Sequence, residues 1–141
     1  MTATRENLGY LLAKASQRWN ELLYERFRTR GWADVRPSFG SVLLPLFEED
    51  GLRMGELARR SRVSKQTTTT LVRLVEGAGL VERARDPADG RASLVNLTER
   101  GRSFAPVAAE VVAELDALVR TTVQAADLDT AQRVLRGVMA L

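Results

Sequence analysis

The stretch that decides the fold is residues 54–102, which reads MGELARRSRVSKQTTTTLVRLVEGAGLVERARDPADGRASLVNLTERGR. Its first part predicts a short helix over 54–61, a tight turn, and a second helix over 64–77. Ser64 is placed to cap the second helix, because its hydroxyl can accept a hydrogen bond from a backbone N–H near Thr67. The apolar positions expected to face inward are Leu57 and Ala58 on the first helix, and Leu71, Leu74 and Val75 on the second.

The second part of the stretch predicts a β-hairpin. Leu80–Arg85 and Ala92–Leu97 are short runs with strand character, and the segment between them is dense in turn-forming residues. Asp89-Gly90 is a strong turn signal, so we expect Arg91 to project from the tip of the hairpin. Val95 and Leu97 should face inward, because successive strand residues point to opposite faces.

Helices are predicted on both sides of this centre. Apolar residues recur at three- and four-residue steps from Leu8 to Phe27, which indicates an amphipathic helix of about 24 residues that ends near Gly31. A helix from Arg36 to about Glu49 should be kinked or begin late because of Pro45. Thr98 should cap a further helix, and a last helix should begin near Asp127 or Asp129. Its buried face is predicted to consist of Val134, Leu135, Val138 and Met139.

Composition narrows the class of protein. The 141 residues are 45% hydrophobic and 28% charged, as in a folded soluble domain. The chain has no apolar run long enough to span a membrane, and its first residues lack a signal-peptide pattern, so we expect a cytoplasmic protein without membrane contact. There is no cysteine and no histidine, which excludes disulfides, Cys/His zinc sites and Cys or His nucleophiles. We expect no cofactor, no metal site and no catalytic residues.

Positive charge is concentrated in the central stretch. Between Arg53 and Arg102 there are 11 Arg or Lys residues and 6 Asp or Glu residues, whereas the rest of the chain has 10 and 12. Attraction to nucleic-acid phosphates requires such a local excess. Because a helix–turn–helix presents its second helix to a DNA major groove, the sequence favours double-stranded DNA as the partner.

The DNA-contacting residues can be assigned from the predicted helix face and hairpin. On the second helix, amide, ammonium, guanidinium and methyl groups can read base edges, and Ser64 can cap the helix alone or also contact a phosphate. The threonine run is also compatible with a strand or an ordinary solvated face. On the hairpin, Asp89 could hold Arg91 in a bidentate pair aimed at a minor groove, or the two could form only a surface ion pair. The predicted contacts are Ser64, Lys65, Gln66, Thr68, Thr69, Arg73, Arg85, Asp89 and Arg91, with Thr67 facing inward and Arg83 assisting as a backbone neutraliser.

These residues carry a resemblance to a known family. The runs Glu56-Leu-Ala, Val63-Ser, Gly79-Leu-Val-Glu-Arg, Asp86-Pro-Ala-Asp-Gly-Arg and Val95-Asn-Leu-Thr-Glu-Arg-Gly101 resemble the MarR family of bacterial transcription regulators. The resemblance implies a winged-helix homodimer that binds a palindromic operator, usually as a repressor. It also implies a small aromatic or anionic effector that releases the DNA. Two residues depart from the pattern: Arg62 stands where glycine is common, and Ser61 where a large apolar residue is.

The resulting prediction is a single domain over 1–141, mainly α with a small β-hairpin wing. Residues 34–102 form the winged helix–turn–helix, and 1–33 and 103–141 form the dimerisation helices. The aromatic candidates for an effector site are Trp19, Tyr24 and Phe39, although core packing is the role that we favour for each. The competing hypothesis is a winged helix that binds proteins and not DNA. An enzyme is disfavoured because no acid–base or nucleophile set converges.

Overall fold

The computed structural model describes residues 7–141. The first six residues of the predicted dimerisation segment 1–33 therefore lie outside the described residues. In chain order the elements are α1 (Leu8–Thr29), a 3₁₀ turn (Pro37–Phe39), α2 (Gly40–Glu48), β1 (Leu52–Arg53), α3 (Met54–Ser61), α4 (Lys65–Gly77), β2 (Val81–Asp86), β3 (Asp89–Leu97), α5 (Glu99–Arg120) and α6 (Ala125–Met139). The fold is mainly helical with a small antiparallel sheet, as the sequence predicts.

The three strands form one sheet in the order β1-β3-β2. The two residues of β1 were not anticipated; Leu52 pairs with Val95 and Arg53 with Leu94. Val95 and Leu97 are buried, as predicted from their alternation. The sheet therefore joins the wing to the strand that leads directly into α3.

One core holds the centre of the chain together. Its buried residues come from α2, α3, α4, the sheet and the inner faces of α1 and α5, and include Leu43, Leu46, Leu57, Val75, Leu80 and Val111. Gly101 lets α5 approach this core closely, because a Cβ at this position would lie 2.1 Å from the Leu80 carbonyl oxygen. Thr98 caps α5 as predicted, and its hydroxyl accepts a hydrogen bond from the Gly101 N–H at 3.1 Å. The cap and the glycine together fix the start of α5 and its close packing against the sheet.

Helix α2 shows how the predicted effect of Pro45 is accommodated. The α-helix begins late, at Gly40 after the 3₁₀ turn, and it continues through Pro45. Proline has no N–H, so the Ser41 carbonyl loses its usual helical partner. The Ser61 hydroxyl donates to that carbonyl at 2.5 Å. The serine that departs from the family pattern thus supplies the missing hydrogen bond and ties α3 to α2.

The second departure, Arg62, lies in the turn between α3 and α4. Its φ of 55° is left-handed, and it is the one non-glycine residue with positive φ among the described residues. Glycine suits this conformation better because it has no Cβ. The Arg62 guanidinium donates to the Met139 carbonyl at 2.6 Å, near the end of α6.

The last helix differs from its prediction in two ways. It begins at Ala125, earlier than Asp127, after Gln124 in extended conformation. None of its side chains is buried within the single chain, and Val134, Leu135 and Met139 are 47%, 42% and 62% exposed. The predicted apolar face exists, but no other part of the described chain covers it. None of the described helices is both long and apolar enough to cross a membrane.

Candidate nucleic-acid interface

Helix α4 is positioned as a recognition helix should be. Its inner face packs Val72 and Val75 into the core, and α3 lies against it through Leu57 and Ala58. Ser64 caps the helix as predicted, since its hydroxyl accepts a hydrogen bond from the Thr67 N–H at 3.1 Å. The outer face of α4 is therefore rigidly presented, and its N-terminus carries the positive end of the helix dipole.

The rotation of α4 about its axis corrects part of the prediction. Thr68 is 3% exposed, so it cannot contact DNA directly; Thr67, expected to face inward, is exposed. Leu74, expected in the core, is 54% exposed, and Val72 is buried instead. The reason is that the Thr68 hydroxyl donates to the Ser64 carbonyl at 2.9 Å, which satisfies the polar group of a buried threonine.

Thr70 is the residue that the sequence argument missed on this helix. Successive residues of an α-helix are rotated by about 100°, so Thr70 lies with Gln66 and Arg73 on the side away from Thr68, Val72 and Val75. All three are exposed, as is Lys65, whereas the Thr69 side chain is half-buried. The Thr70 hydroxyl donates to the Gln66 carbonyl at 3.1 Å, and this bond occupies its proton within the helix. A correct helical phase, with Val72 inward, would have identified it.

The wing turn also differs from the prediction. The two turn residues are Pro87 and Ala88, and Asp89 already pairs with Asp86 across the hairpin. The register then shifts, because the preceding pair is Arg85 with Ser93, so residues 90–92 bulge out of β3. Arg91 is thus presented by a bulge near the tip and not by an Asp-Gly turn.

The predicted side-chain pair of Asp89 and Arg91 is absent from the described structure. The Asp89 carboxylate instead accepts a hydrogen bond from the Arg91 backbone N–H at 3.0 Å. This bond uses the backbone N–H of Arg91, so every N–H donor of its guanidinium remains available to a ligand. It is exposed, with no ion-pair partner in residues 7–141.

The basic residues of the central stretch fall into two groups. Seven are already bonded within the protein; Arg83, for example, pairs with Glu76 at 3.0 Å, so it is not a free phosphate ligand as supposed. Arg59 and Arg60 both bond to Glu56, and these bonds lower the pKa of that carboxyl to about 2. Within the central stretch, residues 53–102, the cations with no hydrogen-bond or ion-pair partner are Lys65, Arg73, Arg85 and Arg91. All four lie on α4 or the wing and were predicted as contacts.

Of the aromatic residues predicted for an effector site, the structure separates one from the other two. Phe39 is 5% exposed and belongs to the core. Tyr24 lines an open groove of about 440 Å³ together with Arg36, whose guanidinium lies 5.2 Å from the centre of the Tyr24 ring. Trp19 is half-exposed on α1. The adjoining cavity of about 90 Å³ is lined mainly by apolar residues, among them Leu23, Phe27 and Phe104.

The fold and this surface define a winged helix–turn–helix transcriptional regulator. A MarR family model matches residues 42–92. The HTH-type transcriptional repressor Rv2887 of Mycobacterium tuberculosis is 37% identical over 100 residues, which cover 62% of this chain and 72% of that protein. The chain belongs to the MarR family.

Solved structures agree with this assignment. The transcriptional repressor CouR, bound to a 23-mer DNA duplex, superposes with a TM-score of 0.77 over the full length of both chains at 26% identity. The PcaV regulator of Streptomyces coelicolor, in complex with its natural ligand, gives a TM-score of 0.82 at 23% identity and covers 99% of this chain and 98% of that one. The family that matches and the relative named above are transcriptional regulators, in agreement with the expectation that this chain is not an enzyme.

Proposed function

We propose that this protein is a repressor that binds a palindromic operator as a homodimer, with α4 in the major groove and the wing over the adjacent minor groove. The observation that carries the proposal is the set of four unpaired cations, Lys65, Arg73, Arg85 and Arg91, on α4 and the wing. Exposed cations without internal partners are the groups that phosphates and electronegative grooves attract. The repressor relative and the DNA-bound CouR structure support the same function. Such a regulator acts on DNA in the bacterial cytoplasm, the location we propose.

The base-reading group that we propose is Lys65, Gln66, Thr70 and Arg73. Gln can pair with adenine, and Lys and Arg can pair with guanine. Thr70 replaces Thr68 and Thr69 in the predicted set. Because its proton is bonded to the Gln66 carbonyl, it offers chiefly a methyl group, which suits contact with a thymine methyl.

The homodimer is proposed from uncovered apolar surface. Large exposed hydrophobic residues are concentrated in the two terminal regions, 8–11 and 112–141, and only Leu44 and Leu74 lie elsewhere among the described residues. The exposed residues at the two ends are Leu8, Tyr10, Leu11, Val112, Leu118, Val123, Val134, Leu135, Met139 and Leu141. A second copy of these helices would cover this surface, so we propose 1–33 and 103–141 as dimerisation segments and 34–102 as the DNA-binding region.

A binding titration tests the DNA contact. The probe is duplex DNA from the region flanking the protein's own gene, with a scrambled duplex as the reference and salt as the variable. Arg91→Ala should weaken binding and reduce the slope of log K against log salt by about 1 per subunit. Arg83→Ala is the matched control, because Arg83 is already paired with Glu76 and should change the slope less. Binding that is flat with salt, or absent, would favour the alternative of a protein-binding winged helix.

The same complex tests the dimer. Footprinting should protect two half-sites separated by about one helical turn. Ultracentrifugation should give twice the protomer mass. Leu135→Glu places a charge on the exposed apolar face of α6 and should shift the measured mass toward that of a single protomer. A monomer with a single protected half-site would contradict the dimer while leaving DNA binding in place.

We also propose an anionic aromatic effector that binds beside Arg36. The apolar cavity accommodates ring carbons, and the Arg36 guanidinium, which lines both the cavity and the Tyr24 groove, supplies the charge. Benzoate should therefore displace DNA at lower concentration than benzyl alcohol, and Arg36→Gln should abolish that difference. Equal potency of the two compounds on the unmodified protein would contradict this site.

A further inference from the structure

Asp86 is the one buried charged residue in residues 7–141, with 7% of its surface exposed. Its Oδ2 atom accepts a hydrogen bond from Arg53 Nε at 2.7 Å and lies 2.6 Å from Arg53 Nη2 in an ion pair. Its Oδ1 atom accepts from the Ala88 N–H at 2.8 Å. The Ala88 N–H and the Arg53 guanidinium hold the pKa of the Asp86 carboxyl below its usual value. The carboxylate is therefore ionised and fully bonded at neutral pH.

This pair connects two parts of the DNA-binding surface. Arg53 ends β1 and immediately precedes α3, whereas Asp86 ends β2 and immediately precedes the wing turn. Beyond the pair of Arg85 with Ser93, the regular register of the hairpin is lost and residues 90–92 bulge outward. The Arg53–Asp86 pair lies where regular pairing ends, so it fixes the base of the segment that presents Arg91.

Stability alone is a weak explanation for the pair. Removing the Asp86 carboxylate from water is costly, and the Arg53 side chain is 50% exposed, so solvent weakens the attraction between the two charges. What such a pair supplies is direction, because the Arg53 Nε donates to one carboxylate oxygen and the Ala88 N–H donates to the other, so both oxygens are held. Here that arrangement sets the wing tip relative to α3 and α4.

We propose that Arg53 and Asp86 are positioning residues for DNA binding, which hold the wing at the angle that brings Arg91 to the DNA while α4 occupies the groove. The proposal rests on the proposed function of this surface. Neither residue needs to touch DNA; both act through Arg91. Loss of either should therefore have the same effect on affinity as loss of Arg91, and the losses should not add.

The test is a double-mutant cycle in which fluorescence anisotropy measures affinity for the duplex from the region flanking the protein's own gene. Asp86→Asn and Arg91→Ala should each weaken binding about tenfold, the lower end of what one well-placed arginine contact contributes. The double variant should bind no more weakly than Arg91→Ala alone. Arg53→Gln repeats the cycle from the exposed partner, whose side chain is 50% exposed, in case Asp86→Asn does not fold. Arg53→Lys keeps the positive charge but loses the planar guanidinium. Its affinity for the duplex should lie between those of the unmodified protein and Arg53→Gln.

A control and a structural readout complete the experiment. Asp34→Asn removes the same charge from a partly exposed pair with Arg100, outside α4, the wing and the two proposed dimerisation segments, and should leave affinity unchanged. Hydroxyl-radical footprinting of the Asp86→Asn complex should lose the minor-groove protection that the wing gives, while the α4 protection remains. A general loss of folding would remove the protection by the wing and the protection by α4 together.

The outcomes are distinct. Additive losses in the cycle, or wild-type affinity for both Asp86→Asn and Arg53→Gln, would overturn the positioning role while the unmodified protein still binds the operator. If the unmodified protein binds no duplex at any salt concentration, the proposed function itself fails. Coupled losses with selective loss of wing protection would establish the pair as the positioning element.

Discussion

The hydrogen bond from Ser61 to the Ser41 carbonyl allows a quantitative test of the packing beneath the recognition surface. Both residues are half-buried, and Pro45 removes the N–H that would otherwise bond to that carbonyl. Ser61→Ala leaves the carbonyl without either partner. An unsatisfied buried acceptor costs about 1–3 kcal/mol, and incomplete burial places the expected loss of unfolding free energy near the lower end, about 1 kcal/mol. For a chain of this size, that corresponds to about 4 °C in Tm.

The measurement is a thermodynamic cycle with Pro45→Ala. Alanine restores an N–H at position 45, which can bond to the Ser41 carbonyl. In that background Ser61→Ala should cost less than about 0.5 kcal/mol, so the coupling between the two sites should be at least about 0.5 kcal/mol, the range expected for residues that share a partner. Denaturant unfolding at fixed protein concentration gives both values. Ser103→Ala, an exposed serine on α5, is the control.

Equal losses in both backgrounds would refute this reasoning. They would mean that Ser61 stabilises the turn by packing and not by replacing the proline N–H. A loss restricted to the proline background would instead explain why serine stands here in place of a large apolar residue. The cycle cancels any packing change caused by Pro45→Ala itself, because that change is common to both measurements.

Three further predictions concern the same region. Arg62→Gly should be more stable than Arg62→Ala by about 1 kcal/mol in urea unfolding, because only glycine relieves the left-handed φ and both variants lose the bond to α6; equal stabilities would show that the turn is unstrained. Gly101→Ala should greatly destabilise the fold in thermal unfolding, since its Cβ would lie 2.1 Å from a backbone oxygen, while Gly137→Ala, which meets no atom within 4 Å, should not. The depressed pKa of Glu56, about 2, means that its ionised form stabilises the fold above pH 4.5, and that this stabilisation falls as the pH drops toward 2. Glu56→Gln should therefore be less stable at pH 7 and approach the unmodified protein near pH 2; a difference independent of pH would contradict the assignment.

The sequence predicted the elements well because their signals are local. Ser64 and Thr98 occupy the caps they were expected to occupy, and each accepts the predicted kind of backbone hydrogen bond. Val95 and Leu97 are buried as their alternation requires. Capping and alternation depend on a few neighbouring residues, so they can be recognised without knowledge of distant contacts.

The errors arose where a distant or compensated interaction decides the outcome. Thr68 was counted as polar and outward, but its hydroxyl bonds within the helix and its methyl group enters the core, which shifts the phase of α4 by one residue. The turn was placed at Asp89-Gly90 because that dipeptide favours hairpins. Asp86, held by Arg53 more than thirty positions away and by the Ala88 N–H, instead places it at Pro87–Ala88. The contact with Arg53 has no signature in the local pattern.

The last helix has a consequence for how the protein behaves at different concentrations. Helix α6 has 15 residues and buries no side chain in the single chain. An isolated helix of that length is only marginally ordered in water, so its order must come largely from a neighbour. Because a second copy would be that neighbour, we expect the helicity of α6 to rise with protein concentration. Its amide protons should exchange faster in dilute than in concentrated solution. Proteolysis of a dilute sample should then begin at this end of the chain.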